Sequence, residues 1–383
     1  MAAQDAMMRV ISWPYQQGAL TKVTKVERSL GQQGGTSGRY HPEFVGICGT
    51  DLDIMAGSRS DKARVLGHEA VIRSEPPPAD SPARSRANVY VVNPVNPQNQ
   101  DDIVGHSTPG MLRSLVEIPD HWVSAGRLVP VGEGIPLHLA TLAEPVGVAL
   151  YALELLSAMK DSSRQILIVG AGPIGAAISL SARLVTDSRV AVVDVSPSRI
   201  SRVLDLGMAH EGIVASTPDA LGIAVSDCVP DAVAICVPRP VRLTVLDVVC
   251  KCAPSDSTID LVTGYEVADA LEMLPGVSPN HLRRMNVCGA PRGGAVLALV
   301  TRQGRPLRLT GHRGTSRAHI EQALVLLQRY PEEFGKLITD IVGPDELPEL
   351  LTRLLSEREM PETAPYRKVV VDMRHQAPPQ PPG

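Results

Sequence analysis

The chain has 383 residues, of which 44% are hydrophobic and 20% charged, with a formal net charge of −4. At roughly 150 residues per domain that length predicts two to three domains, and the balance of apolar and charged residues excludes a disordered chain. The mild acidity, with no long Lys/Arg block, argues against nucleic acid or a membrane as partner.

Residues 1–18 lack an apolar run behind a charged flank, so no secretory signal is expected, and no run of about 20 apolar residues predicts a transmembrane helix. The six cysteines, Cys48, Cys228, Cys236, Cys250, Cys252 and Cys288, are not spaced as a disulfide framework, and a reducing cytoplasm is the expected location. Residues 1–150 are turn-rich, with short apolar runs such as Val89–Val92, and suit a mostly β domain; the proline-rich stretch 75–82 reads as an exposed loop. The pattern changes near residue 145. A helix is predicted over 146–156, then βα alternation: strand Gln165–Val169, helix Pro173–Val185, strand Arg189–Asp194, and later strands over 232–237 and 258–262. Continuous Val/Ile runs fit strands covered on both faces. This region, 151–305, reads as a doubly wound α/β domain. From about 306 the chain is expected to return to the first domain, with apolar helical stripes at Ile320, Ala323, Leu324 and Leu327 and at Leu347, Leu350, Leu351 and Leu354. A last strand is predicted over 368–371. The tail 375–383 reads as disordered or polyproline-like.

Residues 170–175 read Gly-Ala-Gly-Pro-Ile-Gly, between a strand and a helix. Gly170 suits the tight turn, Gly172 lets backbone approach a pyrophosphate, and Gly175 lets the helix pack on the sheet. Pro173 and Ile174 open that helix, whose N-terminus offers N–H groups and partial positive charge to phosphates. Asp194 ends the second strand, where a carboxylate accepts hydrogen bonds from ribose hydroxyls and repels a 2′-phosphate; NAD is therefore favoured over NADP. Arg199 is placed to contact the ribose or adenine. A glycine turn of another α/β fold, or Asp194 as a strand-end cap, is the plainer alternative.

Cys48, in Gly46-Ile-Cys-Gly-Thr50-Asp51, His68-Glu69, and Glu144-Pro145 supply a thiol, an imidazole and carboxylates. Such a mixed donor set suits Zn²⁺, which can hold an alcohol oxygen and favour its ionised form. Singly, a lone His or a buried Cys is more often structural. Together with the glycine turn, these motifs resemble the zinc-containing medium-chain dehydrogenases, especially the sorbitol, threonine and glucose dehydrogenase branches, over about residues 40–345. Leu309–Gly314 and Leu337-Ile-Thr339 belong to the same likeness.

The resemblance implies a GroES-like β domain formed by both chain ends around a Rossmann domain, with the active site between them. It implies Cys48, His68 and Glu69 as zinc ligands, Glu144 approaching the metal directly or through water, Thr50 passing the substrate proton outward, and Asp51 orienting His68. It further implies a polyol, sugar or cyclitol-like substrate, and a homodimer or homotetramer. Departures temper this. No four-cysteine lobe precedes residue 228, so one catalytic zinc and no structural zinc is expected. Asp53 stands where many relatives carry a relay histidine, and Asp53 or water is expected to substitute. The region of residues 31–40 fits poorly, and residues 265–305 look long, either covering substrate, bridging subunits or forming an ordinary loop insertion. Cys250, Cys252 and Cys288 read as core thiols. A zinc-free quinone or enoyl reductase, and a catalytically silent dinucleotide-binding protein, are the alternative functions.

Overall fold

The computed structural model describes residues 7–16, 19–28, 37–59, 61–75, 88–157 and 165–374. The expected loop beyond residue 75 and the tail 375–383 lie outside the described residues. Among these residues no helix is long and apolar enough to cross a membrane.

The α/β reading holds. Six parallel strands lie side by side in the order Glu211–Val214, Arg189–Asp194, Gln165–Val169, Ala232–Ile235, Thr258–Leu261, Pro306–Gly311. Numbered along the chain this is 3-2-1-4-5-6, the doubly wound order that opens a crevice beside the first strand. The four central strands, Arg189–Asp194, Gln165–Val169, Ala232–Ile235 and Thr258–Leu261, bury both faces, while the edge strand Glu211–Val214 is only partly covered. Ile166, Ile168, Val190 and Val192 join one core, packed against helices Ala143–Ser157 and Pro173–Val185. Leu167, Val193, Ile235 and Leu261 join another on the opposite side. Two covered faces explain why these strands read as unbroken apolar runs.

Two expectations are corrected here. Pro306–Gly311, read as the start of the return to the first domain, is the sixth strand of the parallel sheet, and its Leu307 and Leu309 are buried in that sheet's core. The break at Gly304-Arg-Pro306 is only the turn into that strand. Residues 265–305 are not a plain loop insertion. Tyr265, Leu271, Met273, Leu274 and Leu282 pack into the core of the sheet, and Leu297–Val300 adds an antiparallel edge strand.

The second large sheet draws strands from both chain ends. Its order is Leu128–Pro130, Val89–Val92, Glu69–Ser74, Ser37–Gly46, Val369–Asp372, Asp340–Val342, with Val116–Pro119 also paired to Ser37–Gly46. The part of the poorly fitting region that is described, Ser37–Tyr40, is thus a regular strand segment. Where relatives were expected to carry a cysteine lobe, Val95–Asn96 and Asn99–Ile103 form a short hairpin. Arg127 holds it from beneath. Its guanidinium, fully buried, pairs with Asp102 at 3.0 Å, donates to the carbonyls of Pro94 and Asn93, and stacks on Trp122.

Burying that guanidinium is tolerable only because every side of it is met. Arg127→Met keeps the contact with Trp122 but strands Asp102 and two carbonyls. It should cost about 3–5 kcal/mol of unfolding free energy, read as a lowered urea midpoint at unchanged slope. A midpoint unchanged from the parent would refute the anchoring role.

Candidate active site

A cleft of about 1090 Å³ runs between the two sheets, lined by Cys48, His68, Glu69, Glu144, Gly170, Gly172 and Asp194 together. The sequence-predicted metal and nucleotide residues therefore share one space.

The metal side is built where chain turns meet. Strand Ser37–Gly46 ends, and Cys48 caps helix Gly49–Met55 in extended backbone conformation. Asp51, one turn in and almost fully buried, accepts from the Cys48 N–H at 2.9 Å and the Gly67 N–H at 3.2 Å. This locks the cysteine to the turn before His68. The same carboxylate stands 3.6 Å from His68 Nδ1, a buried atom with no hydrogen-bond partner. Burial works against both charges. Asp51 and Cys48 nonetheless hold the His68 imidazole well above its usual range, and His68 in turn helps lower Asp51.

Cys48 Sγ, a ring nitrogen of His68 and a Glu69 oxygen lie within 4.8 Å of one another, and among the described residues this is the one such group of three or more His, Cys, Asp or Glu donors. Gly46 permits it: a Cβ there would collide with the Glu69 carboxylate. The sulfur, nitrogen and oxygen donors together fit a zinc ion.

Glu144 is buried beside this trio but outside its 4.8 Å radius. Burial, with the Glu69 charge, pushes its carboxyl up to about 7. Thr50 lines the cleft with its Oγ1 3.8 Å from Cys48 Sγ. Asp53 also lines the cleft, but its carboxylate is taken by Arg358 at 2.6 Å, and Arg358 also donates to the Gly49 carbonyl. That pair clamps helix Gly49–Met55 to helix Leu347–Arg358.

Sequence reasoning missed three groups. Lys368 is 2% exposed, donates to the Ile47 carbonyl and forms a buried ion pair with Glu69. Nothing in Lys368-Val-Val-Val371 marks its lysine as other than a strand start. His106 is buried with its ring edge-on to His68 at 4.9 Å, and its pKa falls to about 3 through burial and the nearby positive charges of His68 and Arg59. Arg59 pairs with Asp61 and contacts His106 Nδ1 at 3.4 Å. Neither carries a recognisable motif.

On the nucleotide side, Gly170 takes φ +109°, and a Cβ on it would press on the Cys236 carbonyl at 2.7 Å. A Cβ on Gly175 would strike the Gly170 carbonyl, so no other residue fits there. Gly172, by contrast, faces open space. Beside it, Pro173 and Ile174 begin a helix whose first N–H groups have no partner within the helix. The open space and unsaturated helix start fit a pyrophosphate. Asp194 accepts from the Ala171 N–H at 2.7 Å and the Ser196 N–H at 2.8 Å, which aims its carboxylate across the glycine turn. Arg199 lies 3.7 Å from Asp194 and donates to the Pro365 carbonyl. Its charge is thus already engaged by the acid. Cys250 is buried in the sheet core, Cys252 packs at its edge, and Cys288 Sγ faces the Val95 carbonyl.

No family model matches the chain. It is 29% identical over 107 residues to an L-threonine 3-dehydrogenase of Mesorhizobium japonicum, covering 28% of this chain and 29% of that one. Against an uncharacterized zinc-type alcohol dehydrogenase-like protein of Haemophilus influenzae the figures are 28% over 185 residues, covering 44% and 52%. Against the sorbitol dehydrogenase of Ovis aries they are 27% over 188 residues, covering 43% and 49%. The matched stretches thus span about half the length of these relatives or less. In structure, the L-idonate 5-dehydrogenase of Escherichia coli superposes with a TM-score of 0.68 at 14% identity, covering 97% of this chain and all of that one. A short chain alcohol dehydrogenase of E. coli CFT073, solved with NADH, gives 0.67 at 18%, covering 96% and 98%. The fold is the one these dehydrogenases share.

The raised Glu144 carboxyl has a consequence for the metal-free protein. An acid whose folded pKa lies above its unfolded value favours folding while protonated. Its contribution is full below about 4.5 and is lost as pH rises to about 7. This amounts to roughly 3 kcal/mol. Metal-stripped protein should lose that stability between pH 4.5 and 7 in urea titrations, and Glu144→Gln should flatten the slope. An equal slope in the variant would contradict the assignment.

Proposed function

We propose that this chain, a member of the zinc-type medium-chain dehydrogenase superfamily, is an NAD-dependent, zinc-dependent enzyme interconverting a secondary alcohol and a ketone on a polyol, sugar or cyclitol-like metabolite. The observation that carries this reading is the convergence of Cys48, His68 and Glu69 in the same cleft as the glycine turn and Asp194. The likeness to sorbitol dehydrogenase supports the substrate class.

Cys48, His68 and Glu69 would hold one zinc per chain, with Glu144 close enough to act on it electrostatically or through water. Zinc bound there supplies Lewis acidity, which lowers the pKa of an alcohol hydroxyl. Glu69 and Glu144 add carboxylates beside the Cys48 thiol and the His68 imidazole, a donor set suited to a divalent cation. Asp51 orients the His68 ring by facing Nδ1, which leaves Nε2 for the metal. Thr50 Oγ1 takes the substrate proton and hands it to water at the cleft mouth. Asp53, held by Arg358, forms the wall of that exit. The glycine turn holds the pyrophosphate, and Asp194 accepts from the ribose hydroxyls and disfavours a 2′-phosphate. The hairpin of residues 95–103, tied by Arg127, stands in for a lobe that would otherwise need a structural zinc. A homodimer or homotetramer in the cytoplasm completes the reading.

Metal analysis by inductively coupled plasma mass spectrometry should find about one zinc per chain, lost in Cys48→Ser. Wild-type protein that stays metal-free after reconstitution would sink the zinc reading and favour a reductase or a binding protein. Thr50→Val should keep its zinc yet lower turnover of polyols with NAD by roughly 10²–10⁴-fold, the usual scale for a proton-transfer group. Full activity in that variant would exclude Thr50 from the proton path.

A further inference from the structure

The segment between the fifth and sixth parallel strands brings a charge into the cleft that the proposed reaction does not use. Ser278 caps helix Pro279–Arg284, and the helix sends Arg283 back to the end of strand Thr258–Leu261. There Arg283 Nε donates to the Leu261 carbonyl at 2.9 Å and Nη2 to the Val262 carbonyl at 3.1 Å. No carboxylate among the described residues lies within 4 Å of its guanidinium nitrogens. Arg239, in the turn after strand Ala232–Ile235, approaches from the other side. Arg239 Nη2 and Arg283 Nη1 lie 2.9 Å and 3.6 Å from the point where a Gly264 side chain would begin. The two guanidinium groups thus converge over one glycine, and all three residues line the cleft.

The charge there is poorly balanced. Arg239, whose side chain is 11% exposed, meets Glu266, which is 58% exposed, so one partner of the pair stands in water where its charge is screened. Burial, Arg313 and Arg239 push Arg283 down to about 10, against the pull of buried Asp260. Tyr265, 3% exposed, lines the same wall with a hydroxyl that has no hydrogen-bond partner.

Position separates this cluster from the adenosine site. Asp194 ends the second position of the sheet, the glycine turn follows the third, and Arg239 and Gly264 follow the fourth and fifth. At ~4.8 Å between strands, the cluster lies about 10–15 Å from the ribose carboxylate, on the far side of the pyrophosphate turn. Burial resists ionisation of Asp61, but Arg59, His106 and Arg239 hold its carboxyl below the usual range.

We infer that Arg239 and Arg283 form an anion-binding subsite on the substrate side of the cleft, so that the alcohol oxidised also carries a carboxylate or a phosphate ester. The inference rests on the dehydrogenase reading above for what the bound molecule undergoes, though not for its binding. A guanidinium presents a planar fork of donors that matches both groups. An acidic substrate would offset two like charges that a neutral polyol would leave facing one another.

The test is calorimetric titration of the metal-loaded protein with inorganic phosphate under saturating NAD, so that the glycine turn is already filled. Saturable binding is expected in the wild type, weakened about 10- to 100-fold in Arg239→Met and in Arg283→Met, while NAD affinity, measured separately by intrinsic fluorescence, stays within about twofold. Arg239→Met guards against misfolding, since its side chain gives up only the exposed Glu266. The absence of saturable phosphate binding in the wild type overturns the inference. So does weakened NAD binding in the variants, which would assign the arginines to the cofactor pyrophosphate. Neither readout needs turnover, so failure here is distinct from failure of the zinc and NAD-reduction tests.

Discussion

A buried ion pair between residues 299 positions apart, Glu69 and Lys368, organises the half of this molecule that carries Cys48 and His68. Both side chains are 2% exposed. Charges so far from water are tolerated only when each answers the other and the remaining donors find acceptors, as Lys368 does with the Ile47 carbonyl. The pair closes a sheet in which the strand after Lys368 lies beside Ser37–Gly46, and that strand beside Glu69–Ser74. Lys368 and the strand Val369–Asp372 are thus a wall of the site.

From that constraint the electrostatics of the pocket follow. One ammonium, Lys368, lies among Glu69, Glu144 and the Cys48 thiol, and burial, with the Glu69 charge, lifts the Glu144 carboxyl to about 7. A divalent cation beside it would favour its ionised form. The Asp51 carboxylate accepts from the Cys48 and Gly67 N–H groups and faces His68 Nδ1, so two of the three donors are positioned by one buried side chain. At the opposite end, Asp194 is held by two backbone N–H groups in the same manner. The cleft therefore has a rigid donor cluster at one end, a rigid acid at the other, and arginines from otherwise unassigned segments between them.

Much of this was legible in the chain. Runs such as Ile166-Leu-Ile-Val169 can only be strands covered on both sides, and Gly170, Gly172 and Gly175 announce a turn whose geometry needs them. Cys48, His68, Glu69 and Glu144 were found as motif residues. Other features left no mark. Pro306–Gly311 was assigned to the wrong sheet because a short apolar strand looks the same whichever sheet receives it. Residues 265–305 resembled an insertion because Tyr265, Leu271 and Met273 have no regular period.

What the sequence by itself determined is the local chemistry: where the backbone must turn, which runs must be buried, and which side chains can ligate a metal or a ribose. These depend on near neighbours in the chain. The tertiary structure alone decided which charges meet. Lys368 joins Glu69, Arg358 takes Asp53, and Arg239 converges with Arg283 over Gly264, because each partner comes from a distant strand or helix and pairing follows from sheet order and burial, which no local pattern encodes.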